Sequence, residues 1–145
     1  MHATALASHI LRTLMLAVML AFSAHAQAQE PRSMDALDAH TRSEAGNLVL
    51  VDIRTPEEWR RTGIGQAAHP LSMLDRDFLA RLDAILEGDR TRPLALICAS
   101  GVRSALVARA LPGYGFTHVY DVSEGMTGSR AGPGWVARKL PVRQP

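Results

Sequence analysis

Leu94-Ala-Leu-Ile-Cys-Ala-Ser-Gly-Val-Arg-Ser104 places an apolar run, a compact loop and the start of a helix in eleven consecutive positions. The first five residues have the length and apolar character of a strand buried on both faces. A helix is expected over 104–111, with Leu106, Val107, Ala110 and Leu111 turned inward and Pro112-Gly113 stopping it. Cys98 therefore falls at the carboxyl end of a strand just before a helix, where open α/β sheets bind ligands.

Working outward, the same alternation repeats on both sides. Leu48-Val-Leu-Val-Asp-Ile53 is a second buried-strand run, and His118-Val-Tyr-Asp-Val122 a third. Thr55-Pro-Glu-Glu58 combines an N-cap threonine, a proline at the first helical position and a glutamate at the third. It predicts a capped helix over 56–61, closed by Gly63 and Gly65. Residues 75–86 carry Phe78, Leu79, Leu82, Ile85 and Leu86 on one helical face. A leading helix is expected over 31–46, with Met34 and Leu37 on its apolar side, and 123–134 reads as a glycine-rich irregular loop. Strands alternating with helices give an α/β fold, a mostly parallel central sheet with helices on both faces.

The 145 residues suffice for one domain, and with 47% apolar residues a core can form. Residues 1–28 are set apart from it. Arg12 precedes the nine-residue apolar run over 14–22, and Ala24-His-Ala26 and Ala26-Gln-Ala28 follow. This is the order of a secretory signal peptide, with cleavage expected near 26–28 and the domain over 29–145. The apolar run is far shorter than the ~20 residues a bilayer-spanning helix needs, so no stable membrane insertion is expected after cleavage. A bacterial periplasmic location follows. The leader carries no acidic group, so the remaining charge stays close to balanced. With no basic run, nothing points to nucleic acid.

Cys98 is the only cysteine, which excludes an internal disulfide scaffold. A lone cysteine ending an apolar strand can be a small buried hydrophobe. The alternative is a reactive thiol. Ala99, Ser100, Gly101 and Val102 are compact enough for their amides to turn toward the sulfur, and the following helix adds its dipole. Such a setting lowers a cysteine pKa from about 8.5 to roughly 3.5–7.5. Arg103 closes the loop with a guanidinium able to hold an oxyanion at two points.

The segments Val51-Asp-Ile-Arg-Thr-Pro-Glu-Glu-Trp59, Cys98-Ala-Ser-Gly-Val-Arg-Ser104 and Gly115-Phe-Thr-His-Val-Tyr120 resemble a single-domain rhodanese. Trp135 and Leu140-Pro-Val142 close the pattern, so the resemblance covers nearly everything from Asn47 onward. It implies a sulfurtransferase working through a Cys98 persulfide. An anionic donor such as thiosulfate would supply the sulfur, and cyanide or a thiol would accept it. The amides of Ala99 to Arg103 would hold the persulfide, with Ser104 completing the binding loop. Ser100 would donate a hydrogen bond and Arg103 would attract the donor. Asp52 and Arg54 match the family's Asp-x-Arg pair and are expected to brace the loop. No cofactor is implied.

Two stretches leave the family pattern. Glu124-Gly125 stands where a Gly-Gly turn is usual, with a lengthened loop before Trp135. Gly63-Ile-Gly-Gln66 replaces a histidine–proline turn. The other residues that draw notice have simpler readings: helix capping for Glu57 and Glu58, packing for Trp59 and Trp135, a solvated loop position for Arg130. His40, His69 and His118 show no metal-ligand spacing.

Two other functions compete. A cysteine phosphatase or arsenate reductase usually has Cys-x5-Arg, one residue longer, to seat a tetrahedral oxyanion. A persulfide carrier or binding module with little turnover would keep the same loop.

Overall fold

The computed structural model describes residues 30–145, so the leader reading lies outside the described residues. Five strands form one wholly parallel sheet in the order β1-β6-β5-β2-β4. They are β1 (Arg32–Met34), β2 (Val49–Asp52), β4 (His69–Pro70), β5 (Leu94–Ile97) and β6 (Val119–Val122). A two-stranded antiparallel ribbon lies apart, β3 (Ile64–Gly65) with β7 (Val142–Arg143). The helices are α1 (Ala36–Glu44), α2 (Pro56–Thr62), α3 (Phe78–Ile85), α4 (Val102–Ala110) and α5 (Gly134–Ala137).

Both sheet faces are covered. Leu50, Ala95, Ile97 and Val122 face Ala36 and Ala39 of α1, Trp59 of α2 and Trp135 of α5. Val51, Leu96, Cys98 and Val119 face Leu82 and Leu86, around α3, and Ala108 of α4. The expected α/β architecture is the one found, because unbroken apolar runs such as 94–97 bury side chains on both sides. No helix of the described residues is long and apolar enough to cross a membrane.

Three expectations need correction. The leading helix begins later than expected, because residues 32–34 pair with Tyr120, Asp121 and Val122 as strand β1. Asp35 then caps α1 by accepting from the Asp38 amide at 2.7 Å. The buried side of α1 is Ala36, Ala39 and Ser43, while Leu37 is exposed. Helix α4 starts at Val102 rather than Ser104, and Leu106 and Ala110 face outward. Its inner positions are Ser104 and Ala108, whose small side chains let the helix lie close on β5 and β6. The third helix is confined to 78–85, although Leu82 and Leu86 are buried and Phe78, Leu79 and Ile85 partly so, as its periodicity requires.

Register brings the site together. Asp52 pairs with Ile97 and Leu96 pairs with Asp121, so the ends of β2 and β6 flank Cys98 at the end of β5.

Candidate active site

The Cys98 sulfur sits beneath the first turn of α4, in a residue only 1% exposed. Gly101 enters the helix at φ 84°, in the left-handed region, and a side chain there would collide with the Ser123 carbonyl. The loop can turn this tightly because glycine occupies that position. Ser104 meets the sulfur twice, from its amide at 3.5 Å and its hydroxyl at 3.3 Å. The direct side-chain donor is thus Ser104 rather than Ser100. Ala99 and Ser100 are partly exposed and Val102 is exposed, which leaves the outer part of the loop accessible.

A second segment closes over the loop. Met126 donates its amide to the Cys98 carbonyl at 2.9 Å, and Thr127 donates its amide and hydroxyl to the Ala99 carbonyl at 2.8 and 2.9 Å. Gly125 (φ 66°) passes so near Ala99 that a Cβ would strike its backbone. Glu124, buried, accepts from the Gly134 amide at 3.0 Å and from Arg138 Nε at 2.7 Å. The Arg138 guanidinium holds its carboxyl below the usual range. Where the family pattern departs, a buried carboxylate therefore anchors the lengthened loop to α5.

Arg103 does not present a free guanidinium. It donates to Glu58 through both terminal nitrogens, at 3.0 and 2.6 Å, and this pair lowers the Glu58 pKa to about 2. The two-point grip expected for a substrate oxyanion is occupied by a carboxylate of the same chain. Glu58 also completes the capping box with Thr55, whose amide donates to it at 3.0 Å. The capping signal explained the residue fully at the sequence level and concealed its second partner.

Asp52 and Arg54 form a buried ion pair, with Arg54 Nε at 2.9 Å from Oδ1 and Nη2 at 2.6 Å from Oδ2. Arg54 also reaches the Thr62 hydroxyl and the Gly63 carbonyl, each at 2.7 Å. It ties the end of β2 to the carboxyl end of α2, and α2 carries Glu58 to Arg103. Removing one member of such a pair leaves a buried charge, at a cost of about 3–5 kcal/mol.

Arg54, Glu58, Arg61, Thr62, Ala99 and Thr127 line a cleft of about 240 Å³ beside the cysteine loop. Arg61, exposed on α2, forms no ion pair among the described residues and is a cation of this cleft that sequence reasoning passed over. Arg130 is exposed.

The class defined by this fold and site is a parallel α/β domain with a cysteine at a strand end, under the amino terminus of a helix. The family model of the rhodanese-like domain matches residues 35–131, and the chain belongs to that family. It is 31% identical over 101 residues to an uncharacterised protein of Rickettsia rickettsii, covering 66% of this chain and 82% of that one. It is 38% identical over 77 residues to the thiosulfate sulfurtransferase GlpE of Pseudomonas syringae pv. syringae, covering 53% and 67% respectively. Among solved structures, Rv0390 of M. tuberculosis aligns with a TM-score of 0.61 at 29% identity, covering 81% of this chain and 100% of that one.

Proposed function

We propose that the protein is a sulfurtransferase that moves a sulfane sulfur from a small anionic donor such as thiosulfate to cyanide or a thiol, through a persulfide on Cys98. The observation that carries this reading is the paired donation from the Ser104 amide and hydroxyl to Sγ, at the amino terminus of the nine-residue helix α4. Two hydrogen-bond donors and the positive end of a helix dipole favour an anionic sulfur without a histidine base.

In the first half-reaction the thiolate attacks the outer sulfur of thiosulfate. A new S–S bond forms, the old one breaks, and sulfite departs with its electron pair. In the second, cyanide attacks the outer sulfur of the persulfide, thiocyanate leaves, and the Cys98 thiolate is restored. No external oxidant or reductant is required, and the protein supplies the nucleophile for a covalent, ping-pong cycle. Ser104 would stabilise the inner sulfur, and the amides of Ala99, Ser100, Gly101, Val102 and Arg103 would surround the outer one. Arg61, rather than the neutralised Arg103, would draw the anionic donor into the cleft. The sequence reading of residues 1–28 as a leader supports a periplasmic setting for this activity.

Mass spectrometry after exposure to thiosulfate tests the reading. The protein should gain one sulfur, lose it on addition of cyanide with release of thiocyanate, and gain none as Cys98→Ser. Hydrolysis of an aryl phosphate without a sulfur adduct would overturn it in favour of a phosphatase, and an adduct that cyanide and thiols cannot discharge would leave a carrier.

A further inference from the structure

Asp121 lies one strand away from the reactive cysteine and has no stated task in sulfur transfer. It pairs with Leu96 in the parallel register, two positions before Cys98, and it alternates with Tyr120 and Val122, which face the opposite core. Its side chain therefore shares a sheet face with Leu96 and Cys98, under the first turn of α4. It is 5% exposed, and its Oδ1 has no hydrogen-bond partner among the described residues. A buried carboxyl oxygen without a partner costs more than most folds tolerate unless the group serves a purpose or is protonated.

Its polar neighbour is Ser104. The Ser104 hydroxyl favours the ionised form of Asp121, whereas burial pushes its pKa up, and burial is the larger effect. Yet the same hydroxyl stands 3.3 Å from Cys98 Sγ. A hydroxyl has one hydrogen and two lone pairs. It cannot donate to the sulfur and to an aspartate carboxylate at once. It can donate to the sulfur while accepting from a protonated Asp121.

The charged groups on the surrounding elements are engaged elsewhere. On α4, Arg103 binds Glu58 and Arg109 binds Glu30. On β1, Arg32 lies over the Tyr120 ring, and Asp35 just beyond it caps α1. Glu124, following β6, is held by Arg138, and β5 contributes only the Cys98 thiol. Among the described residues, no cation is placed to neutralise an Asp121 carboxylate.

We infer that Asp121 is a positioning residue for Cys98, because its proton decides whether the Ser104 hydroxyl serves the sulfur or the carboxylate. With Asp121 protonated, a relay runs from its hydroxyl to Ser104 Oγ and from Ser104 to the sulfur, supporting the thiolate. With Asp121 ionised, the sulfur loses one donor and gains a nearby negative charge. The two groups then titrate as a coupled pair rather than as independent sites. The inference rests on Cys98 being the nucleophile, but not on which donor or acceptor it serves.

Because the chain has a single cysteine, thiolate ultraviolet absorbance, corrected with Cys98→Ser, follows this sulfur directly against pH. Asp121→Asn keeps the shape and removes the charge, and Asp121→Ser serves should the amide not fold. Either folded variant stays neutral and leaves the Ser104 hydroxyl on the sulfur. It should therefore titrate at lower pH than wild type by about one unit, the size expected when a nearby negative charge is removed and that donor is kept. In a Ser104→Ala background the same substitution should move the titration by less than half as much. A titration superimposable on wild type, or a shift of the same size without Ser104, would overturn the inference. A shifted titration in a protein that transfers no sulfur would instead sink the proposed activity and leave this coupling standing.

Discussion

Glu58 and Arg103, 45 positions apart in the chain, are joined by two hydrogen bonds of 3.0 and 2.6 Å beside the cysteine loop. The pair clamps the start of α4 to the start of α2. Because α2 is also held by the buried Arg54 through the Thr62 hydroxyl, the loop rests on two ion pairs, Asp52–Arg54 and Glu58–Arg103, joined through α2 by neutral hydrogen bonds. Arg103 becomes a fixed wall of the site, and under the proposed function the capture of an anionic donor would fall to another cation.

Its pH dependence has a defined sign. The Glu58 carboxyl titrates near 4.5 without its partners and near 2 with them, chiefly because of the Arg103 hydrogen bond. A depressed carboxyl pKa adds stability that is fully present above the unfolded value and is lost as pH falls through the folded one. Glu58→Gln should therefore lower stability at pH 7 by about 1–2 kcal/mol, below the full conversion of the shift because Arg103 is a third exposed to water. The difference between wild type and variant should shrink from about pH 4.5 downward, as read by urea unfolding. A constant difference down to pH 2.5 would remove the ion pair as its cause.

Arg61 offers the matching test of recognition. Arg61→Ala removes a cleft cation that has no carboxylate partner among the described residues. The KM for thiosulfate should rise about three- to tenfold with a smaller change in kcat, and added salt should narrow the gap as it screens the wild-type charge. Unchanged KM at low salt would show that the donor enters without it.

Gly125 tests the wall formed by the lengthened loop. Its φ of 66° already disfavours a side chain, and an added Cβ would meet the Ala99 backbone. Gly125→Ala should cost at least about 1–2 kcal/mol from strain of this kind. Persulfide formation should fall with it, since Met126 and Thr127 bond the loop carbonyls of Cys98 and Ala99. Thermal unfolding together with sulfur uptake reads both effects, and full uptake at wild-type stability would show that the backbone yields freely.

The strand runs at 49–52 and 94–97, the capping box at Thr55 and the cysteine loop were legible in the sequence alone. Each depends on neighbours within a few residues: an unbroken apolar run, a threonine three positions from a glutamate, a glycine able to turn left-handed. Residues 32–34 were not, because only pairing with β6, some 88 positions on, makes them a strand. The inward face of α4 was misread for a related reason. Periodicity marks Leu106 as apolar, but contact with the sheet favours the small Ser104 and Ala108, and only packing chooses between them.

The site divides along the same line. Its cysteine, its loop and the buried Asp52–Arg54 pair belong to local motifs that a reader of the sequence can locate. The partners that set its electrostatics do not. Glu58 answering Arg103, Ser104 rather than Ser100 meeting the sulfur, and Asp121 sharing a sheet face with Cys98 all depend on the parallel register that lays the ends of β2, β5 and β6 side by side. Hydrogen bonds and ion pairs act over a few ångströms of space whatever the separation along the chain, and that distance exists only once the sheet has formed.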